Sequence, residues 1–164
     1  MKKQLFLLIT VLLFVSCGIY SFKGSLPPHI KSIAIPEFED KTAEFDLGAT
    51  ISEKVRDGFI REKILDLVEM ENAHSVLYCT ITSIDDQPAV YSETETGEAV
   101  DEYRVTIKLD VEWKDLVKDR SIFQQTISGY SEYDPNSASE RDDAIAQAIE
   151  NITNDIIEKI LSDW

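Results

Sequence analysis

The chain has 164 residues, with sixteen Lys and Arg against thirty-one Asp and Glu, and a formal net charge of −15. A field of that sign repels nucleic acid and anionic headgroups, which removes both from the expected partners. Two cysteines, two histidines and six glycines argue against a zinc cluster and against glycine-rich phosphate loops.

Lys2 and Lys3 precede an apolar run from Leu5 to Val15, broken only by Thr10, and Ser16-Cys17-Gly18 follows. As a helix that run rises about 16 Å, roughly half of a hydrocarbon core. It is too short to span a bilayer but suits the apolar part of an export signal with a small-residue cleavage site. Leu13-Phe14-Val15-Ser16-Cys17 resembles a bacterial lipobox, with Phe14 where an aliphatic residue is usual. The expectation is a signal peptide over 1–16, cleavage before Cys17, and lipidation of Cys17, with palmitate among the acyl chains. Each buried methylene contributes about 0.8 kcal/mol, so two or three acyl chains hold a domain on a membrane durably. No later run approaches eighteen apolar residues, which predicts a chain anchored to a membrane rather than spanning it.

Cleavage leaves 148 residues with fourteen basic and thirty-one acidic side chains, a net −17, enough for one domain. The fatty chains, not basic residues, must then make the membrane contact. With Cys17 a thioether, Cys79 has no partner for a disulfide, and its strand-like setting reads as a small buried hydrophobe.

Residues 17–30, with Gly18, Gly24, Pro27 and Pro28, read as a lipidated extended tether reaching at most about 45–50 Å. A single domain is expected over 31–164. Lys31 to Phe38 reads as a first strand, with Pro36 confining it to an edge or ending its pairing. Leu47 to Leu65 is helical by period: Leu47, Ile51, Val55, Phe59, Ile60 and Ile64 form the stripe. Gly58 inside it suggests a close approach to a sheet.

A short strand at Asp66–Met70 and a longer one at Ser75–Ile84 follow. Tyr103 to Trp113 alternates strictly between apolar and polar residues, so one face is buried and the other wet. Asp119–Tyr130 is expected to pair with it. The last element is a helix over Ser139–Leu161, opened by a capping box at Ser137 and Glu140 or at Ser139 and Asp142. Ile145, Ile149, Ile152, Ile156 and Ile160 are its apolar stripe. The expected fold is α+β: a two-layer sandwich with two helices on one face of a mainly antiparallel sheet of about four strands.

The acidic run Glu93–Glu102 lies between two strands and reads as a mobile hairpin end. It either solubilises or touches a basic partner surface; its oxygen spacing is unlike an EF-hand. Nucleophilic catalysis has little to build on. There is no Gly-x-Ser-x-Gly elbow, His29 and His74 lie at a tether end and in a short connection, and Asp85-Asp86 and Asp142-Asp143 read as solvated pairs.

Cys17-Gly18, Tyr20-Ser21-Phe22, and the run from Ser25 through Leu26-Pro27-Pro28-His29-Ile30 to Pro36 and Phe38 resemble the mature start of the LptE family of lipopolysaccharide-assembly lipoproteins. Ile19 is an insertion in the usual Cys-Gly-Tyr start, and Cys79 stands where a glycine-like residue is expected. The resemblance implies two helices on a four-stranded sheet, a plug inside the LptD β-barrel, and help in assembling that barrel and inserting lipopolysaccharide. It implies an outer-membrane, periplasm-facing location and no catalysis, cofactor or metal. Some relatives touch lipopolysaccharide through basic strand residues, which makes Arg104 and Lys108 the candidate contacts to partner or glycolipid. The net −17 field opposes phosphate binding and favours the plug-and-chaperone role. The alternatives are a periplasmic scaffold or adaptor lipoprotein with a different partner and, more remotely, a lipid-anchored enzyme.

Overall fold

Three long antiparallel strands carry the structure, a computed structural model that describes residues 26–94 and 97–162. In chain order the elements are β1 (Ser32–Ala34), β2 (Glu39–Asp40), α1 (Leu47–Glu62), β3 (Asp66–Leu67), a 3₁₀ turn at Met70–Asn72, β4 (Ser75–Thr94), β5 (Gly97–Asp115), β6 (Arg120–Tyr133) and α2 (Ala138–Ser162). The sheet order is β3-β1-β4-β5-β6, with β2 also paired to β4. Strands β4 to β6 form an antiparallel meander, whereas β1, β2 and β3 join by parallel pairs. The fold is therefore α+β as expected, but the sheet is mixed and six-stranded rather than mainly antiparallel with about four. The unexpected strand β2 is two residues long, too short to set up an alternation. Strand β3 keeps only Asp66–Leu67 of the short strand expected at Asp66–Met70, whose last residue opens the 3₁₀ turn.

The expected first strand divides. Pairing stops at Ala34, two residues before Pro36, and resumes at Glu39–Asp40 farther along β4. β1 is not an edge: it lies between β3 and β4, and Ser32, Ile33 and Ala34 are all buried, as parallel strands usually are.

The alternation of β5 sets the core. Val105, Ile107, Leu109, Val111 and Trp113 are fully buried, and the last four pack in one cluster with Leu77, Cys79 and Ile81 of β4 and residues of both helices. Each such large side chain contributes about 1.5–3 kcal/mol by leaving water. From α1 come Leu47, Ile51, Val55 and Phe59, and from α2 Ile149, Ile152, Ile156 and Ile160. Ile145 packs on the core while partly buried. Ile60, expected in the α1 stripe, is instead 59% exposed, because it lies one residue round the helix from buried Phe59. Helix α1 also ends sooner than expected, at Glu62, where Lys63 takes the left-handed conformation.

Two glycines set the layer spacing. A Cβ on Gly58 would lie 2.8 Å from Thr153 Cγ2 and 2.9 Å from Ile157 Cδ1, so this glycine lets the two helices approach each other, not the sheet. The close approach to the sheet occurs at Gly129 of β6, where a Cβ would meet Ile152 Cγ1 at 2.6 Å and the Ala148 carbonyl oxygen. At the start of α2, Glu140 reaches back to the amide of Asp134 (3.2 Å) rather than to that of Ser137.

The acidic run is the largest departure. Strand pairing continues through Tyr91↔Val100, Ser92↔Ala99, Glu93↔Glu98 and Thr94↔Gly97, so most of Glu93–Glu102 is ordered ribbon and not a loop. β4 extends ten residues past its expected end at Ile84. A register shift between Ile81 and Ser83 exchanges its inward and outward positions there.

Candidate partner-binding surface

The helices cover one face of the sheet and leave the other open. Register fixes its rows: Tyr78, Glu112 and Gln124; Thr80, Asp110 and Thr126; Ser83, Lys108 and Ser128; Asp85, Thr106 and Tyr130; Gln87, Arg104 and Glu132. This face mixes hydroxyls, amides and both signs of charge. Thr126 Oγ1 donates to Asp110 Oδ1 at 2.7 Å, and Lys114 Nζ pairs with Asp119 at 2.7 Å.

Both candidate cations lie here, four residues apart on β5 with Thr106 between them on the same face, in different circumstances. Arg104 is engaged within the chain: its Nε donates to Glu132 Oε1 at 3.1 Å, and its guanidinium lies 4.7 Å over the Tyr130 ring. Lys108 is exposed between Ser83 and Ser128, with Asp110 next on its side of the strand, and forms no ion pair among the described residues. Cys17 lies outside the described residues.

Two polar networks that sequence reading did not find tie remote parts of the chain together. In the first, Arg141 of α2 donates to Asp86 (Nη2–Oδ2, 2.9 Å) and to Glu44 (Nη1–Oε1, 3.2 Å), while Tyr133 donates its hydroxyl to Asp86 at 2.8 Å. Burial pushes the Asp86 carboxyl up, but the hydrogen bonds from Arg141 and Tyr133 and the Arg141 charge outweigh it and hold it below its ordinary range. Asp86, read as part of a solvated pair, is thus tied to β6 and to the first turn of α2, and Arg141 carries the connection on to Glu44 in the loop before α1.

In the second, His29 Nε2 lies 2.7 Å from Asp115 Oδ2, and the Asp115 side chain is 0% exposed. The other Asp115 oxygen accepts the amides of Val117 (2.9 Å) and Lys118 (3.0 Å) in the β5–β6 turn. Burial raises this carboxyl, and the bonds from His29 and the two amides more than compensate, leaving its pKa lowered. Just after His29, Ile30 is buried in the core. His74 is also structural: its Nδ1 lies 2.8 Å from Ser32 Oγ, and its amide donates to the same oxygen at 3.1 Å. Cys79 is buried, and desolvation drives its thiol pKa far up, which fits the expected hydrophobe.

Among the described residues no group of three His, Cys, Asp or Glu is placed to hold a metal ion, and no helix is long and apolar enough to cross a membrane. The described surface presents an open polar sheet face and a long hairpin. The family model described as LptE, lipopolysaccharide-assembly, matches residues 30–163, from buried Ile30 to just past the end of α2.

The chain belongs to the LptE family.

Among solved structures, the LptE-like domain is similar to protein XCC0632 from Xanthomonas campestris (TM-score 0.60, 11% identity, 85% of this chain and 90% of that one). It is similar also to the hypothetical protein CT253 from Chlamydia trachomatis (TM-score 0.59, 9% identity, 80% and 95%). A third is PelC from Paraburkholderia phytofirmans, solved as a dodecamer (TM-score 0.54, 12% identity, 84% and 93%). At such identities these likenesses speak for the fold alone. No curated protein matches.

Proposed function

We propose that the chain is the lipid-anchored subunit of an outer-membrane lipopolysaccharide-assembly complex, plugging an LptD-type β-barrel and helping it assemble. The observation that carries this reading is the family match over essentially the whole described domain. Cys17 is the proposed lipidation site, and the chain faces the periplasm from the inner leaflet of the outer membrane. The open sheet face suits a hydrated barrel wall, since hydroxyls and paired charges tolerate water and hydrogen-bond donors equally. The protein acts by fit; no residue is assigned a catalytic role.

Between the candidate cations, Lys108 is the better glycolipid contact, because Arg104 already holds Glu132 and Tyr130. A single lysine in a strongly acidic chain is a weak phosphate site, so direct lipopolysaccharide binding is secondary to the plug role. The test is metabolic labelling with a fatty-acid analogue, followed by detergent extraction and pull-down. The parent chain should carry the label and bring a large β-barrel in equal amount, and Cys17→Ala should lose the label. A labelled chain without a barrel would favour the adaptor reading. An unlabelled, soluble chain would overturn the proposal.

A further inference from the structure

The β4–β5 hairpin outruns the rest of the sheet. β6 ends at Tyr133, opposite Tyr103, and beyond that pair only 89–94 of β4 and 97–102 of β5 continue. Six residues at about 3.3 Å each make an arm of roughly 20 Å. None of its described side chains from Asp85 to Glu102 is buried, and Val90 and Tyr91 are 41% and 57% exposed. A two-stranded ribbon by itself is marginal in water, so an arm of this length gains from a surface to lie on.

Three properties define that surface. From Gln87 to Tyr103 the sequence holds Glu93, Glu95, Glu98, Asp101 and Glu102 and no lysine or arginine, a local charge of −5. Anionic lipid, glycolipid phosphate and nucleic acid are all repelled, whereas a protein surface rich in Lys and Arg is attracted. Secondly, the outer edge of β5 over 98–102 pairs with no strand among the described residues, so its backbone groups can accept another strand. Thirdly, the arm is braced where it leaves the body. Arg141 and Tyr133 hold Asp86, and the Tyr103 and Tyr133 rings meet at a tilt of 39° with centroids 6.1 Å apart. Bracing fixes the arm's direction before any partner arrives and lowers the cost of ordering it on binding.

We infer that the arm is a docking element for a cationic protein surface, which lays a strand along the outer edge of β5 and covers Val90 and Tyr91. Resting on the function proposed above, the inference assigns that surface to the barrel. The arm, rather than the open sheet face alone, then sets how the plug is seated.

The test uses the full-length chain in cells. A photo-crosslinking residue replaces Tyr91 in one strain and, as a control, Glu150 on the exposed side of α2 in another. A second chain with the Tyr91 probe also carries Glu93→Gln, Glu98→Gln, Asp101→Asn and Glu102→Gln, with its melting temperature measured to establish that it folds. The Tyr91 probe should form adducts with the co-purifying barrel well above the Glu150 control. Their yield should fall about tenfold in the neutralised arm, and also as salt is raised before irradiation. A barrel that co-purifies while Tyr91 gives no more adduct than Glu150 overturns the inference and leaves the plug reading standing. Equal adducts from the folded neutralised chain, or adducts to glycolipid alone, overturn it as well. Absence of the barrel from the preparation overturns the plug reading and the inference with it.

Discussion

Removing the Arg141 guanidinium should loosen three elements at once. Its five donor contacts run to Asp86 at 2.9, 3.3 and 3.3 Å and to Glu44 at 3.2 and 3.3 Å, with the Arg141 side chain 28% exposed. A hydrogen bond to a charged group contributes about 1.5–3 kcal/mol when well formed. Three of these contacts are long, at 3.3 Å, and water reaches the site, so the total is nearer about 2–3 kcal/mol than the sum. Arg141→Ala also leaves two carboxylates near each other with no cation between them. In a domain of this size about 1 kcal/mol shifts the melting temperature by about 2–4 °C, so Arg141→Ala should lower it by about 5–10 °C. Arg141→Lys keeps the charge but loses the fork that spans both acids, and should recover less than half of the loss. The assay is thermal unfolding of the purified chain by circular dichroism at low salt and at 1 M salt, where the difference should narrow. A melting temperature within about 1 °C of the parent at low salt, or Lys performing as well as Arg, would refute this account.

Gly129→Ala should cost about 1–3 kcal/mol in chemical denaturation, because its Cβ would strike Ile152 and the Ala148 carbonyl, and a helix backbone cannot rotate away. Asp115 has a lowered pKa, so the stability it contributes is complete above the ordinary carboxylate value, about 4, and is lost as pH falls through the folded value. The stability gap between the parent and Asp115→Asn should therefore be widest near neutrality and shrink in acid; a gap independent of pH would contradict the network. Cys79 should resist thiol reagents in the folded chain and react once denatured, since burial keeps its thiol protonated.

The parts of the fold legible in sequence were those with sustained periodicity. Val105 to Trp113 alternates without a break, and Ile149 to Ile160 repeats by helical turns, so both buried faces could be assigned residue by residue. The arm was not legible, because the shifts near Thr82, Ala89 and Asp101 break the two-residue period and five acids suggest a loop. β2 exists only because β4 offers it an edge, information that two residues cannot carry. The polar fasteners are less visible still: Arg141 and Glu44 are 97 residues apart, and His29 and Asp115 are 86 apart. Single histidines and acids of this kind look like ordinary surface until the topology brings them together. Of the two candidate cations, the sequence placed both on the wet side of β5 but gave no sign that Glu132 and Tyr130 would occupy Arg104.

His29 and the arm tip stand at opposite ends of one strand. β5 runs from Gly97 at the tip to Asp115, where His29 is held. Eighteen residue steps at about 3.3 Å separate them by close to 60 Å before twist is allowed for. The molecule is thus a ruler: the anchorage of His29 and the hairpin end of β5 are set apart by a single hydrogen-bonded rail. Cutting matched residue pairs from both rails of the arm would draw the far end inward by about 6–7 Å per two pairs. Engagement should then fail in steps, at the length where the gap can no longer be bridged.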